Sequence, residues 1–426
     1  MRPVACLWHG GNDLILIFSD LHFADTTQRR TVDSESLCDL IEQEAAAALK
    51  RGTDNLTVLL LGDIFEVLKS QLWIDRNARP WDPVSPSHAD VVTAIFERIE
   101  SSNAKFFNGV ASLKNRFPKL SFVYVPGNHD WPLNAEVGLA ARGRLVELLK
   151  IDNHAVGSPF GLTYARSDHG LLASHGHEHD LANRTEPGRI ALGDAVVIEV
   201  LLRLPELVAA ELGWSPADSR LEYLHELDNV RPQSPAAMAA WLLGATRRLA
   251  VDVPAAGPAV GAAVAVIVKR MDELRGSGSA TDVWQTESLW IDALAKLGWK
   301  ATQKFDVVRI VAKLSAGDEF ASFAMHGAGD LHSADVSPHG FSPDFVVHGH
   351  THLPEHVAIA HRSGTSGRTP IYLNTGTWRR VHRFVPGAKG ESLFAHYDER
   401  SYVMVYSFDE QAAGWPRYEF RRSARG

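Results

Sequence analysis

The chain has 426 residues, of which 45% are apolar and 22% charged, and a formal charge of −8. That length exceeds one simple core and calls for a catalytic domain plus an insertion or second domain. The acidic balance argues against a protein whose main task is gripping nucleic acid, and two cysteines, Cys6 and Cys38, exclude a disulfide framework and point to a reducing compartment. The first ten residues contain no apolar stretch of signal-peptide length. The expectation is a cytoplasmic protein with no transmembrane segment. The most hydrophobic long stretch, residues 251–268, carries Asp252, Pro254 and Pro258 and reads as a buried helix with an irregular start rather than a membrane span.

In chain order, residues 14–18 form an apolar run that predicts a buried strand, followed by Ser19-Asp20-Leu21-His22. A helix is predicted over 34–50, capped by Asp33 or Ser34 and stopped at Gly52. Residues 56–61 predict a second strand ending in Gly62-Asp63, and the strand–helix–strand order predicts a parallel sheet. Residues 70–87 read as a loop whose Trp73 and Trp81 either plug the core or form a substrate lip. A helix over 89–117 leads to a third strand, 120–125, which stops at Pro126 and delivers Gly127-Asn128-His129-Asp130. Another helix is predicted over 137–151, then a hairpin of 162–166 and 171–174. Its second strand leads into Ser174-His175-Gly176-His177-Glu178-His179-Asp180.

From residue 181 to 340 the pattern becomes Ala- and Leu-rich. Helical periodicity covers 195–212, 235–251, 261–274 and 281–296, strand signals are nearly absent, and Gly276 to Ser279 reads as a turn or link. The simplest organisation is an α/β core, 1–180 and 341–426, with 181–340 inserted as a helical cap. Strands resume at 345–347, 357–360, 370–373, 393–397 and 402–408, short and close enough to predict antiparallel or mixed pairing.

Five strand ends therefore carry residues that can hold metals: Asp20 and His22; Asp63; Asn128, His129 and Asp130; His175; and His350 and His352 in Gly349-His350-Thr351-His352. In α/β sheets the carboxyl edge is where ligands bind. Mixed Asp, Asn and His donors suit borderline divalent ions, and the lack of thiolates argues against a closed structural zinc site. A two-metal centre that clamps both oxygens of an in-line displacement needs one carboxylate bridging the ions, and Asp63 is the best candidate. Such ions lower the pKa of a bound water enough for it to attack near neutral pH.

In this order the motifs Asp20-x-His22, Gly62-Asp63, Gly127-Asn128-His129-Asp130, His175 and Gly349-His350-x-His352 resemble those of the calcineurin-like metallophosphoesterase superfamily. The resemblance covers 14–180 and 344 to about 380, and leaves the cap uncovered. It implies a four-layer αββα sandwich and two divalent ions of the Mn, Fe or Zn kind, Mn foremost. It gives one ion to Asp20, His22, Asp63 and His352, and the other to Asp63, Asn128, His175 and His350. His129 is then a general acid for the leaving group or a phosphoryl stabiliser, oriented by Asp130. The implied reaction is hydrolysis of a phosphoester or pyrophosphate bond by a hydroxide bridging the metals.

His175, His177 and His179 alternate, so in an extended segment all three face the site. His175 matches the family block, leaving His177 and His179 either to support the ligand residues or to face substrate. Asp180 either orients a ligand imidazole or serves a turn. Gly62-Asp63-Ile64-Phe65-Glu66 and the helical insertion are similar to the branch containing UDP-2,3-diacylglucosamine pyrophosphatases, from which the longer insertion and His175-Gly176-His177 depart. Other substrate classes are a cyclic or linear phosphodiester, a phosphomonoester and a nucleic-acid end. Arg379, Arg380, His382 and Arg383 form a basic cluster that either holds a phosphate, with Arg379 as the candidate, or is a solvated strand edge. The non-enzymatic alternative, a metal-free binding scaffold, predicts missing ligands, and none is missing.

Overall fold

The computed structural model describes residues 12–25, 32–155, 157–184, 189–231, 233, 235–277, 279–280, 341, 343–359, 370–386, 392–414 and 416–425. The helix predicted over 281–296 lies outside them. The chain divides into two compact units. One comprises Met1–Asp180, Phe320–Arg379 and Glu399–Arg425; the other comprises Leu181–Glu319, Arg380–Asp398 and Gly426.

The first unit is mixed α/β and contains two sheets. In one, β1 (Asp13–Phe18), β2 (Asn55–Leu61) and β3 (Leu120–Val125) run parallel, in the order β3-β2-β1. The end of β11 (Ser392–Tyr406) lies antiparallel to β1, with Leu14 opposite Tyr406 and Ile17 opposite Val403, and β12 (Tyr418–Arg425) pairs with β11. The second sheet has the order β4-β5-β7-β9-β8, from Thr163–Arg166, Leu171–Ser174, Phe345–His348, Ile371–Asn374 and Glu355–Ala358 respectively. In it β5, β7 and β9 are parallel and the outer pairs antiparallel.

Strand alternation explains how the two sheets share a core. Every second residue of β1 to β3 (Ile15 and Ile17, Leu59 and Leu61, Val123 and Val125) packs in one cluster with Leu171, Ala173, Phe345, Val347 and Leu373 of the second sheet. The alternate residues, Leu14, Leu16, Val58, Leu60 and Phe122, are equally buried, so these strands are apolar on both faces. Helix Ser34–Arg51 buries Leu37, Ile41, Ala45 and Ala48, one stripe at helical spacing. Asp33 caps it through the Ser36 N–H, and Gly52, at φ 87°, ends it.

Local chemistry explains several departures from the predicted elements. The helix expected over 89–117 is two, Pro86–Ser102 and Ala104–Arg116. At the break Asn103 is buried, and its amide donates to the Ile99 and Ala24 carbonyls, both at 2.8 Å. Trp73 is the plug of the 70–87 segment: it is fully buried, and its indole N–H donates to the Val67 carbonyl at 2.8 Å. The strands expected at 393–397 and 402–408 are the single β11. Its polar middle is held by Glu399, itself buried and bonded by the Arg422 guanidinium of β12 at 2.8 and 3.0 Å.

In the second unit the run expected as one helix over 195–212 opens with a π-helical stretch, Val196–Leu202, before Arg203–Leu212. Pro205 cannot donate to the carbonyl four residues back and crowds it, which favours a wider turn upstream. Helix Pro235–Asp252 is followed by Ala256–Gly276, which packs on Arg203–Leu212. Here β10 (Arg380–Pro386) pairs antiparallel with residues 392–398 of β11 and parallel with β6 (Val230–Arg231). Among the described residues no helix is long and apolar enough to cross a membrane.

Candidate metal centre

The parallel strands of the first unit bring their carboxyl ends together. β1 leads into Asp20 and His22, β2 into Asp63, β3 into Asn128 and His129, β5 into His175, and β7 into His350 and His352. Backbone geometry marks the same residues. Among the described residues seven non-glycine positions have positive φ, and five of them are Asp20, His22, Asp63, His350 and His352. Asp and His tolerate this region better than most residues, but each such position still costs on the order of 1–3 kcal/mol and must be held by its surroundings. The Asp20 N–H donates to the Gly62 carbonyl at 3.1 Å and the His22 N–H to the Asp63 carbonyl at 2.9 Å. Thr377 Oγ1 donates to the Asp20 carbonyl at 2.7 Å, and the His350 N–H reaches Asp20 Oδ2 at 2.9 Å.

Asp20, His22, Asp63 and His352 form one convergent set, and Asp63, His175 and His350 form another. His22 Nε2 lies 3.0 Å from His352 Nε2, 3.8 Å from Asp63 Oδ2 and 4.0 Å from Asp20 Oδ1; His352 Nε2 lies 3.2 Å from Asp20 Oδ1. In the second set His175 Nε2 is 3.2 Å from Asp63 Oδ2 without a well-formed hydrogen bond, and it is buried. Donors bonded at about 2.1 Å to one tetrahedral ion stand roughly 3.4 Å apart. These spacings, and a buried imidazole nitrogen facing a carboxylate without bonding it, fit a divalent ion in each set. Asp63 belongs to both, and its Oδ2 faces His22 on one side and His175 on the other. Its Oδ1 is fixed by the His129 N–H at 2.8 Å. Asn128 is buried in the intervening turn.

Two glycines make this approach possible. A Cβ on Gly62, at φ 78°, would collide with the His175 ring, and one on Gly127 would collide with Asp63. The glycine that opens Gly127-Asn128-His129-Asp130 is therefore needed for space; its φ is not positive.

The carboxylate beside His129 is Glu66, not Asp130. Glu66 is fully buried and accepts from His129 Nδ1 at 2.7 Å and His22 Nδ1 at 2.8 Å, one ring on each oxygen. The two rings meet edge to face, with centroids 4.7 Å apart. Asp130 turns back into the loops instead, accepting from the N–H groups of Gly127 at 2.5 Å and Ile64 at 3.0 Å. Glu66 sits four residues from Gly62 in a motif the sequence displays. Neither of its imidazole partners is near it in the chain, so only the fold reveals its role.

Electrostatics follow from burial against pairing. Burial would raise Asp63, but His175 and His129 outweigh it and hold this carboxyl well below its usual range. Burial likewise opposes a charged His175, yet Asp63 pushes it up to about 10. Asp20 is raised by burial and the nearby Asp63. Glu66 is held far down despite burial, because His129 and His22 bond to it. Asp130 is raised to about 6 by burial and Asp63. Burial lowers His22, assisted by the positive charge of Arg379, which is itself buried. Four buried carboxyls, Asp20, Asp63, Glu66 and Asp130, stand in this space, an arrangement that favours added positive charge.

The segment after β5 is not extended. Gly176 has φ 101°, and His177–His179 form a 3₁₀ turn, so His179 turns to His348 while His177 stays beside His175 and His350. His177 is buried with its ring 5.5 Å from that of His175, and burial lowers it to about 4. The His179 ring stacks obliquely at 5.2 Å on His348. Asp180 accepts from His350 Nε2 at 3.0 Å, so it orients that imidazole. Of the basic cluster, Arg379 is buried, Arg380 pairs with Asp398 and His382 with Glu226. Neither a scan of protein-family models nor a search of curated proteins returns a match.

Proposed function

We propose that the chain is a metallophosphoesterase of the calcineurin-like kind, with the four-layer αββα arrangement of that superfamily, and that it hydrolyses a phosphoester or pyrophosphate bond. The observation that carries this reading is the pair of donor sets sharing Asp63, with the Glu66–His129 pair beside them. Asp20, His22, Asp63 and His352 would hold one divalent ion, and Asp63, Asn128, His175 and His350 the other. Bound there, the ions supply Lewis acidity and an activated water.

The residues of the chain do the rest. Glu66 accepts the Nδ1 proton of His129, so the proton available to a leaving group sits on Nε2. Glu66 also fixes the His22 tautomer, leaving Nε2 as the ligand nitrogen, and Asp180 orients His350. Arg379, buried and near enough for its charge to act on His22, would bind a phosphoryl oxygen. The substrate in this reading is a phosphorylated small molecule or lipid.

The test is metal analysis of the purified protein alongside turnover of bis-p-nitrophenyl phosphate, p-nitrophenyl phosphate and a nucleoside diphosphate sugar. About two equivalents of divalent metal and hydrolysis of at least one substrate are expected, both lost in Asp63→Ala. Intact metal content and turnover in that variant would overturn the site assignment.

A further inference from the structure

Within the second unit, β10 and β11 carry a side-chain cluster that takes no part in the centre described above. We propose that it is a site for a divalent transition ion of the Cu2+ or Ni2+ type, held by Nδ1 of His382 and Nδ1 of His396. The two residues are direct cross-strand partners, and these nitrogens lie 2.8 Å apart. His382 Nε2 lies 2.9 Å from Glu226 Oε2, which also accepts from the Asn229 amide at 2.7 Å. A carboxylate only accepts, so His382 carries its proton on Nε2 and its lone pair on Nδ1. The proton between the two rings then belongs to His396.

An imidazole whose far nitrogen donates to a carboxylate is the arrangement that fixes metal-binding histidines and raises their basicity. Trp241 adds rigidity. Its ring stacks on His382 at 4.3 Å and 13°, and meets Phe394 and His396 edge to face. His382 is buried, whereas His396 is exposed, so an ion enters from the His396 side and completes its shell with water.

Binding replaces the proton between the rings. His396 changes tautomer, its proton passing to Nε2, and its exposed ring tilts while His382 stays fixed, so that both lone pairs reach one ion. Imidazole donors suit Cu2+ and Ni2+, and the order of divalent-ion affinities places Cu2+ above Zn2+ at such a site. Glu226 supplies compensating negative charge.

The proposal does not rest on the phosphoesterase reading. Its test is equilibrium dialysis of the full-length protein against Ni2+ and Cu2+, with electron paramagnetic resonance of the Cu2+ form, comparing wild type with His396→Gln and Glu226→Gln. The wild type should bind one equivalent more than His396→Gln and show a tetragonal two-nitrogen Cu2+ signal that this variant lacks. Glu226→Gln should weaken that equivalent by about 10–100-fold, the usual effect of removing a carboxylate behind a ligand histidine. His396→Gln should unfold at the wild-type temperature without metal and keep wild-type turnover. Equal stoichiometry in wild type and His396→Gln would overturn the site and leave a hydrogen-bonded histidine pair.

Discussion

Replacing Glu66 with Gln changes no volume and removes one acceptor. Glu66 Oε1 accepts from the Lys69 N–H at 3.1 Å and from His129 Nδ1, while Oε2 accepts from His22 Nδ1. A glutamine can place its carbonyl at only one of these positions. At the Oε1 position it keeps two bonds; at the Oε2 position its amide would face the Lys69 N–H, donor against donor. The first orientation wins, and the amide then donates to His22 Nδ1. That forces the His22 proton onto Nε2, the atom facing Asp63 and His352, and a protonated nitrogen cannot ligate. The penalty is one charge-assisted hydrogen bond, about 1.5–3 kcal/mol, or roughly 10–150-fold in affinity for one of the two ions. Titrating metal-free Glu66→Gln with Mn2+ while following turnover should show one site weakened by that factor and the other unchanged, with activity recovering at high Mn2+. Wild-type affinity at both sites, with turnover lost only for poor leaving groups, would refute this reasoning and assign Glu66 to His129 alone.

His129→Ala should retain both ions and lose about 10²–10⁴-fold in turnover, as for removal of a general acid; the loss should shrink with good leaving groups such as p-nitrophenolate, and an equal loss for all would exclude the acid role. Metal affinity should depend on pH through His175. Asp63 raises its metal-free pKa from 6.5 to about 10, so the protonated form predominates below that value and must lose its proton to ligate. Affinity should therefore climb up to about tenfold per pH unit between roughly pH 7 and 10 and then level off, with proton uptake by the buffer measurable by calorimetry. Asn103→Ala should leave the Ile99 and Ala24 carbonyls without the amide and cost about 1–3 kcal/mol in urea unfolding.

The features legible in the sequence were those whose cause is local. An apolar run ending in Asp20-x-His22 or Gly62-Asp63 announces both a strand and what it presents. The structure brings Asp20, His22, Asp63 and His352 together, as well as Asp63, His175 and His350. The features missed had causes distant in the chain. Glu66 is defined by His22 and by His129, 63 residues away. The polar middle of β11 stays in the strand because Arg422 neutralises Glu399. β12 itself carries Arg421, Arg422 and Arg425, which hide its period-two pattern. Alternation predicted that His175, His177 and His179 share a face; past the left-handed Gly176 the chain keeps His177 beside His175 and His350 but sends His179 to His348.

The left-handed backbone at Asp20, His22, Asp63, His350 and His352 constrains how this centre can drift over generations. Asparagine and glycine suit such a backbone best, and asparagine lies one nucleotide from both aspartate and histidine codons. Lineages that lose donors but keep the fold should pass through Asn or Gly at these positions. Exchanges for glutamate or cysteine, which would retune metal preference, would also have to strain the chain. The loop geometry that assembles the donors thus steers inheritance toward asparagine or glycine more readily than toward a different donor type.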